Sequence, residues 1–199
     1  MPIAAARTKA IEEFAMMVNK ASEKYQLIHA TFAIEKLFQE KMSRESNARV
    51  IELRNQLKEE NDPERQKQIH LEAKELQKGE DKRIRILVNY ISISQLPETS
   101  ARIAKTPNNT FIISLPKSLE NVRNPDGAIN FEKIKQLREL MAHELGHIVL
   151  HTGIFQLDGA PICVPGEEEE EAEFFAQRLL ELHRERNSEI YNDGHYKKI

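Results

Sequence analysis

From Ala4 to Asp62 the chain contains neither proline nor glycine. So long a stretch without a helix breaker, with apolar residues recurring among charged ones, restricts the N-terminal part to helix. Ile11, Phe14, Ala15, Val18, Tyr25, Ile28, Phe32 and Met42 fall near helical spacing, which predicts one long helix over residues 4 to 43. The helical pattern continues through Val50, Leu53 and Leu57 on a thinner stripe, so residues 44 to 80 are expected to add little core. Asn61-Asp62-Pro63 is a break and a restart, with Asp62 suited to an N-cap and Pro63 to the first helical position. The next helix is expected to end near Lys78, with Gly79 at its C-terminal cap.

At Asp81 the character changes. "RIRILVNYISISQL" is β-branched and partly alternating, as a strand requires, and Pro97 ends it. "SARIAK", "TPNN" and "TFIISLP" read as strand, turn and strand. After the loop "NVRNPDGAIN", Asn130 can cap a helix that starts near Phe131 and stops near Gly153. An irregular segment, "IFQLDGAPICVPG", separates it from a last helix, "EEEEEAEFFAQRLLELHRER", and the tail beyond is expected to be loosely held. The fold expected is α+β, in two parts. Residues 1–80 form a helical N-terminal extension, either an amphipathic hairpin lying on the main domain or a partner-binding arm. Residues 81–199 form a domain with a small sheet.

Composition removes several classes of function. The net charge of -3 supplies no general basic field, so direct nucleic-acid binding is not expected. A single cysteine, Cys163, rules out an internal disulfide framework and fits a reducing compartment. The N-terminus lacks an apolar run of signal-peptide length, and no stretch approaches the roughly 18 apolar residues of a membrane span. A soluble, cytoplasmic protein is the expectation.

The chemistry is concentrated in "MAHELGHIVLHTG", residues 141 to 153. His143-Glu144-Leu145-Gly146-His147 is an HExxH pattern. Residues four apart on a helix are rotated by only about 40° around its axis, so both imidazoles point one way and can share a zinc ion. Glu144 stands beside them as a base toward water rather than as a ligand. Gly146 allows another backbone to come close. Catalytic zinc needs a third protein ligand, and no third histidine follows at the spacing His-x-x-Gly-x-x-His. The next helix offers Glu167 through Glu171 and Glu173. An acidic first turn also suits the helix dipole, so most of these need no metal to explain them. Glu169 and Glu173 stand four apart on one face, and an acid behind a ligand can orient a ligating histidine.

"HELGHIVLH" followed by "EEEAEFFAQRLL" resembles the ImmA/IrrE family of zinc metallopeptidases, within the wider zincin group. The similarity covers about residues 84 to 182, including "NNTFIISLP" and "KQLRELMAHELGH". It implies a zincin-like fold, zinc held by His143, His147 and Glu169, Glu144 as catalytic base and Glu173 behind the metal. It further implies a protein substrate, often a transcriptional regulator, and often an origin in phage or another mobile element. The chain departs from the family pattern at Glu173, where Asn or Asp is usual, and at Glu181-Leu182, where Met-Pro is usual. No helix-turn-helix domain is apparent, and the long helical N-terminus lies outside the family's core pattern.

Other candidates are secondary. His151, one turn after His147, is expected to be a partly exposed histidine at the helix end, with lining the cleft or a hydrogen bond near the site as the alternative. Cys163 is expected to be buried as a small apolar residue, with a regulatory thiolate on zinc as the alternative. His29, His70, His183 and His195 are expected to face solvent. Tyr191 and Tyr196 are candidates to stabilise an oxyanion if the tail folds back. A substrate strand is expected to pair with the sheet along Thr110 to Leu115. The reaction expected is zinc-dependent peptide hydrolysis. The alternative is a non-catalytic zinc-containing protein that engages a partner or regulates it through its helical N-terminus.

Overall fold

The computed structural model describes residues 3–22, 28–78, 84–92, 94–95, 100–155, 163 and 165–192. Gly79, Tyr196 and His195 lie outside these, as do the side chains of His29 and Tyr191. The element order is α1 (Ala5–Ala21), α2 (Ile28–Glu59), α3 (Pro63–Lys78), β1 (Arg85–Ile91), β2 (Arg102–Lys105), β3 (Thr110–Pro116), a 3-10 turn (Lys117–Leu119), α4 (Phe131–His151) and α5 (Glu168–Asn192). The fold is α+β, with a small mixed sheet among long helices.

The single helix expected over residues 4 to 43 is two helices. The backbone leaves α1 at Ser22, whose ψ of 107° is extended. This break resets the helical phase, which is why Phe32, counted in step with α1, is 59% exposed. The buried positions of α2 instead run Ala30, Ala33, Ile34 and Phe38. One hydrophobic core holds residues from both sides of residue 80. Ile11, Phe14, Ala15 and Val18 of α1 share it with Ile86, Phe111, Ile113, Leu145, Ile148 and Leu179. Beyond Ser43, α2 buries Val50 and Leu53 outside that core, opposite α3. Asp62 caps α3 as expected, accepting from the Glu64 amide at 2.9 Å.

The sheet has the order β1-β3-β2, with β1 parallel and β2 antiparallel to β3. Thr110 to Leu115 therefore lies in the middle of the sheet, and the expected substrate edge must be moved from β3. Both ladders of β3 are used by its neighbours, with Ile113 between Val88 and Ile103. At the β1 edge, the Ile86 amide donates to the Glu35 carboxylate of α2 at 2.6 Å. Residues 111, 113 and 115 face the core in strict alternation, the period of a pleated strand.

The entry to α4 is held by short-range polar contacts. Asn130 accepts from the Lys133 amide at 3.0 Å and donates to Asn124 at 2.8 Å, and its own amide donates to the Val122 carbonyl at 2.8 Å. The helix thus begins where its capping residue predicts. Gly127, at φ +85°, makes the tight turn that brings this loop back. α5 runs six residues beyond the expected end at Arg186, to Asn192.

Candidate metal centre

α4 and α5 pack against each other, and their backbones come close at Gly146. A Cβ added there would lie 2.8 Å from the Ala172 carbonyl oxygen and 2.9 Å from its Cα. Glycine is required because the obstacle is backbone, which cannot rotate away. This contact sets α5's first turn against the histidine face of α4.

Three side chains converge above it. His143 Nε2 and His147 Nε2 are 3.1 Å apart. Glu169 reaches both, with Oε2 3.2 Å from His143 Nε2 and Oε1 3.3 Å from His147 Nε2. Tetrahedral zinc with nitrogen and oxygen ligands at about 2.0 Å has neighbouring donors ~3.3 Å apart. The donor set and its spacing therefore fit such an ion, and the three residues could hold a metal. Glu170, the neighbouring alternative, is exposed and does not join the group.

The remaining expected residues lie around this trio. Glu173 Oε2 is 3.4 Å from His143 Nδ1, and its other oxygen, Oε1, accepts from Gln177 Nε2 at 2.8 Å. A proton on Nδ1 aimed at Glu173 leaves the Nε2 lone pair directed at the centre. Glu144 is 7% exposed and lines the cleft. Burial pushes its carboxyl up; His143 offsets part of this, and Glu169 adds to it. Burial likewise holds His147 below the ordinary imidazole range, which favours the neutral, ligating form. His151 lines the cleft and places Nε2 3.0 Å from the Glu168 carbonyl oxygen.

The cleft has a volume of about 810 Å³. Its far wall is the β2 edge with its lead-in, Ser100 to Ile103. Gln136, Glu139 and Leu140 extend it along α4. An edge strand facing a metal-type cluster can accept an extended chain by main-chain hydrogen bonding.

One feature had no sequence signal that pointed to it, and two expectations, for Cys163 and His183, are corrected. Arg7 of α1 donates from Nε and Nη2 to the two oxygens of Glu171, at 2.8 and 2.7 Å, in a buried pair. Burial alone would raise the Glu171 carboxyl, but the Arg7 guanidinium, helped by the Cys163 thiol and His151, holds it below the usual range. Cys163 is half-buried, not enclosed as an apolar residue. Burial and a hydrogen bond to Glu171 push its thiol up to about 11. His183, expected at the surface, is 3% exposed. It follows the apolar positions Leu179 and Leu180 on the buried side of α5.

Among the described residues, no helix is long and apolar enough to cross a membrane. Comparison with known protein families, curated proteins and solved structures gave no match.

Proposed function

We propose that the chain is a zinc-dependent endopeptidase with a zincin-like domain, of the kind that the ImmA/IrrE resemblance implies. The observation that carries this reading is the convergence of His143 Nε2, His147 Nε2 and a Glu169 oxygen at 3.1 to 3.3 Å, beside a buried Glu144 and an open cleft. A site meant only to hold an ion needs neither of the last two.

Zinc, when bound, acts as a Lewis acid toward the substrate carbonyl and toward water. Glu144 takes the proton of the attacking water and delivers it to the nitrogen of the leaving amine. Burial in the cleft wall, which pushes its carboxyl up, favours a group that accepts a proton and returns it. Glu173 keeps the His143 ring in one tautomer and orientation. The β2 edge, from Ser100 to Ile103, aligns the substrate backbone across the cleft. The substrate is a protein or peptide, with a transcriptional regulator the class that the resemblance implies.

Glutamine keeps the shape of Glu144 but cannot accept the water proton. Glu144→Gln is expected to retain fold and zinc yet lose peptide cleavage by about 10²-fold or more. The assay incubates each protein with lysate of the source organism and compares newly formed peptide termini. Termini formed equally by both would defeat the hydrolase reading and favour the partner-binding alternative.

A further inference from the structure

Beside the peptidase site lies a second set of ligand-type donors that the proposed reaction does not use. His151, Cys163 and Glu171 each offer one atom, and these atoms lie within 4.8 Å of one another. They come from the last residue of α4, from Cys163 and from the first turn of α5. Glu171 is fully buried and the other two are half-buried. An imidazole, a thiolate and a carboxylate together suit zinc and its borderline neighbours, whereas calcium and magnesium prefer oxygen alone.

Glu171 is already oriented. Arg7 grips both its oxygens from the α1 side at 2.8 and 2.7 Å. Each carboxylate oxygen keeps a further lone pair, and ligating carboxylates are commonly held by such outer hydrogen bonds. The Cys163 thiol also hydrogen-bonds to Glu171. His151 Nε2 is 3.9 Å from Glu171 Oε2 and faces the same space. In a zinc tetrahedron with one sulfur ligand, donors stand ~3.3 to 3.6 Å apart. The widest pair must therefore close by about 1 Å, a side-chain adjustment.

We propose that His151, Cys163 and Glu171 form a second metal site, for one zinc-class divalent ion. On binding, the Cys163 S–H proton passes to solvent and the sulfur donates a lone pair. His151 binds as neutral imidazole through Nε2, releasing the Glu168 carbonyl, and Glu171 supplies one oxygen. No oxidation state changes. The thiolate charge is needed because Arg7 already neutralises Glu171. The ion ties Cys163 to α4 and α5, two residues from Glu169, so its occupancy steadies the turn that carries the third ligand of the first site. The site does not depend on the peptidase reading.

Cobalt provides the test. The chain has one cysteine, and the His143, His147 and Glu169 cluster contains no sulfur. A thiolate-to-cobalt charge-transfer band in the near ultraviolet therefore reports Cys163 alone. The whole protein, stripped with chelator, is titrated with Co²⁺ and, separately, analysed for bound zinc. Two equivalents of metal and a charge-transfer band are expected. Cys163→Ser should abolish the band and leave one equivalent. His151→Ala should weaken the band-forming step by at least about tenfold. The band should survive in the double variant His143→Ala, His147→Ala, which separates this site from the first. Circular dichroism checks that each variant is folded. One equivalent of metal with no band in the unaltered protein overturns the proposal. So does a band that His151→Ala leaves unchanged, since cobalt would then be bound by the thiol without the built site.

Discussion

Gly146→Ala tests the geometry on which the candidate metal centre rests. The new Cβ would meet the Ala172 oxygen at 2.8 Å and Cα at 2.9 Å. Carbon contacts are favourable at about 3.5 to 4.0 Å, so the two helices must separate by roughly 0.5 to 1 Å. Overpacking of this kind costs about 1–3 kcal/mol. Alanine in a helix interior recovers about 1 kcal/mol over glycine. The net loss of stability is then ~0–2 kcal/mol, small enough for the variant to fold. The effect on the metal should be larger. Glu169 rides on α5, three residues before Ala172, while both histidines ride on α4. A shift of that size carries the Glu169 oxygens from 3.2 and 3.3 Å toward about 4 Å from the histidine nitrogens. That exceeds the ~3.3 Å edge of a zinc tetrahedron. Zinc affinity, measured by competition with a chromophoric chelator, should fall about 10–100-fold. Unfolding in chelator separates the stability term from metal linkage. A variant with undiminished zinc affinity that gains the full propensity benefit of about 1 kcal/mol would refute the reasoning, because the helix contact would then have slack.

Other residues give further tests. Among Glu169→Ala, Glu170→Ala and Glu173→Ala, the first should lower zinc affinity most, the third about tenfold and the second little; a largest loss at Glu170 would move the ligand by one position. Arg7→Met leaves Glu171 buried without its cation and should cost about 3–5 kcal/mol in denaturant unfolding with chelator present. Replacing both residues with apolar ones should recover most of that loss, and a single variant as stable as the parent would show that the pair is hydrated. Phe14→Ala should cost about 3–5 kcal/mol, because Phe14 lies in the common core with its ring 4.7 Å from Phe155. Leu57→Ala, on the half-exposed part of α2, should cost clearly less; equal costs would show that the distal helices belong to the same cooperative core.

Much of the candidate site was legible in the sequence because it is local. The four-residue spacing of His143 and His147 sets their shared direction once a helix forms, and Asn130 marks where that helix starts. Glu169 and Glu173 fall on one face of α5 for the same reason. Gly146 could be read as a place of close approach, although only the fold names Ala172 as what approaches. The helix expected over residues 4 to 43 is not legible as two because the chain leaves α1 at Ser22 without a proline or glycine to mark the break. The side chains on either side of Ser22 obey two separate phases.

What the sequence determined by itself is the direction of side chains within each element: the histidine pair, the alternation of Phe111, Ile113 and Leu115, and the caps at Asp62 and Asn130. Only the tertiary structure decided which elements meet. It set β3 between β1 and β2, so that among the described residues the edge facing the cleft belongs to β2. It brought Glu169, rather than Glu170, against the two histidines, and joined Arg7 to Glu171 across the length of the chain. Helix and strand periods depend on neighbours a few residues away, and so they are written in spacing. Strand order, helix contact and a buried ion pair depend on which arrangement buries the most apolar surface while leaving every buried charge a partner, and that is settled by the whole chain at once.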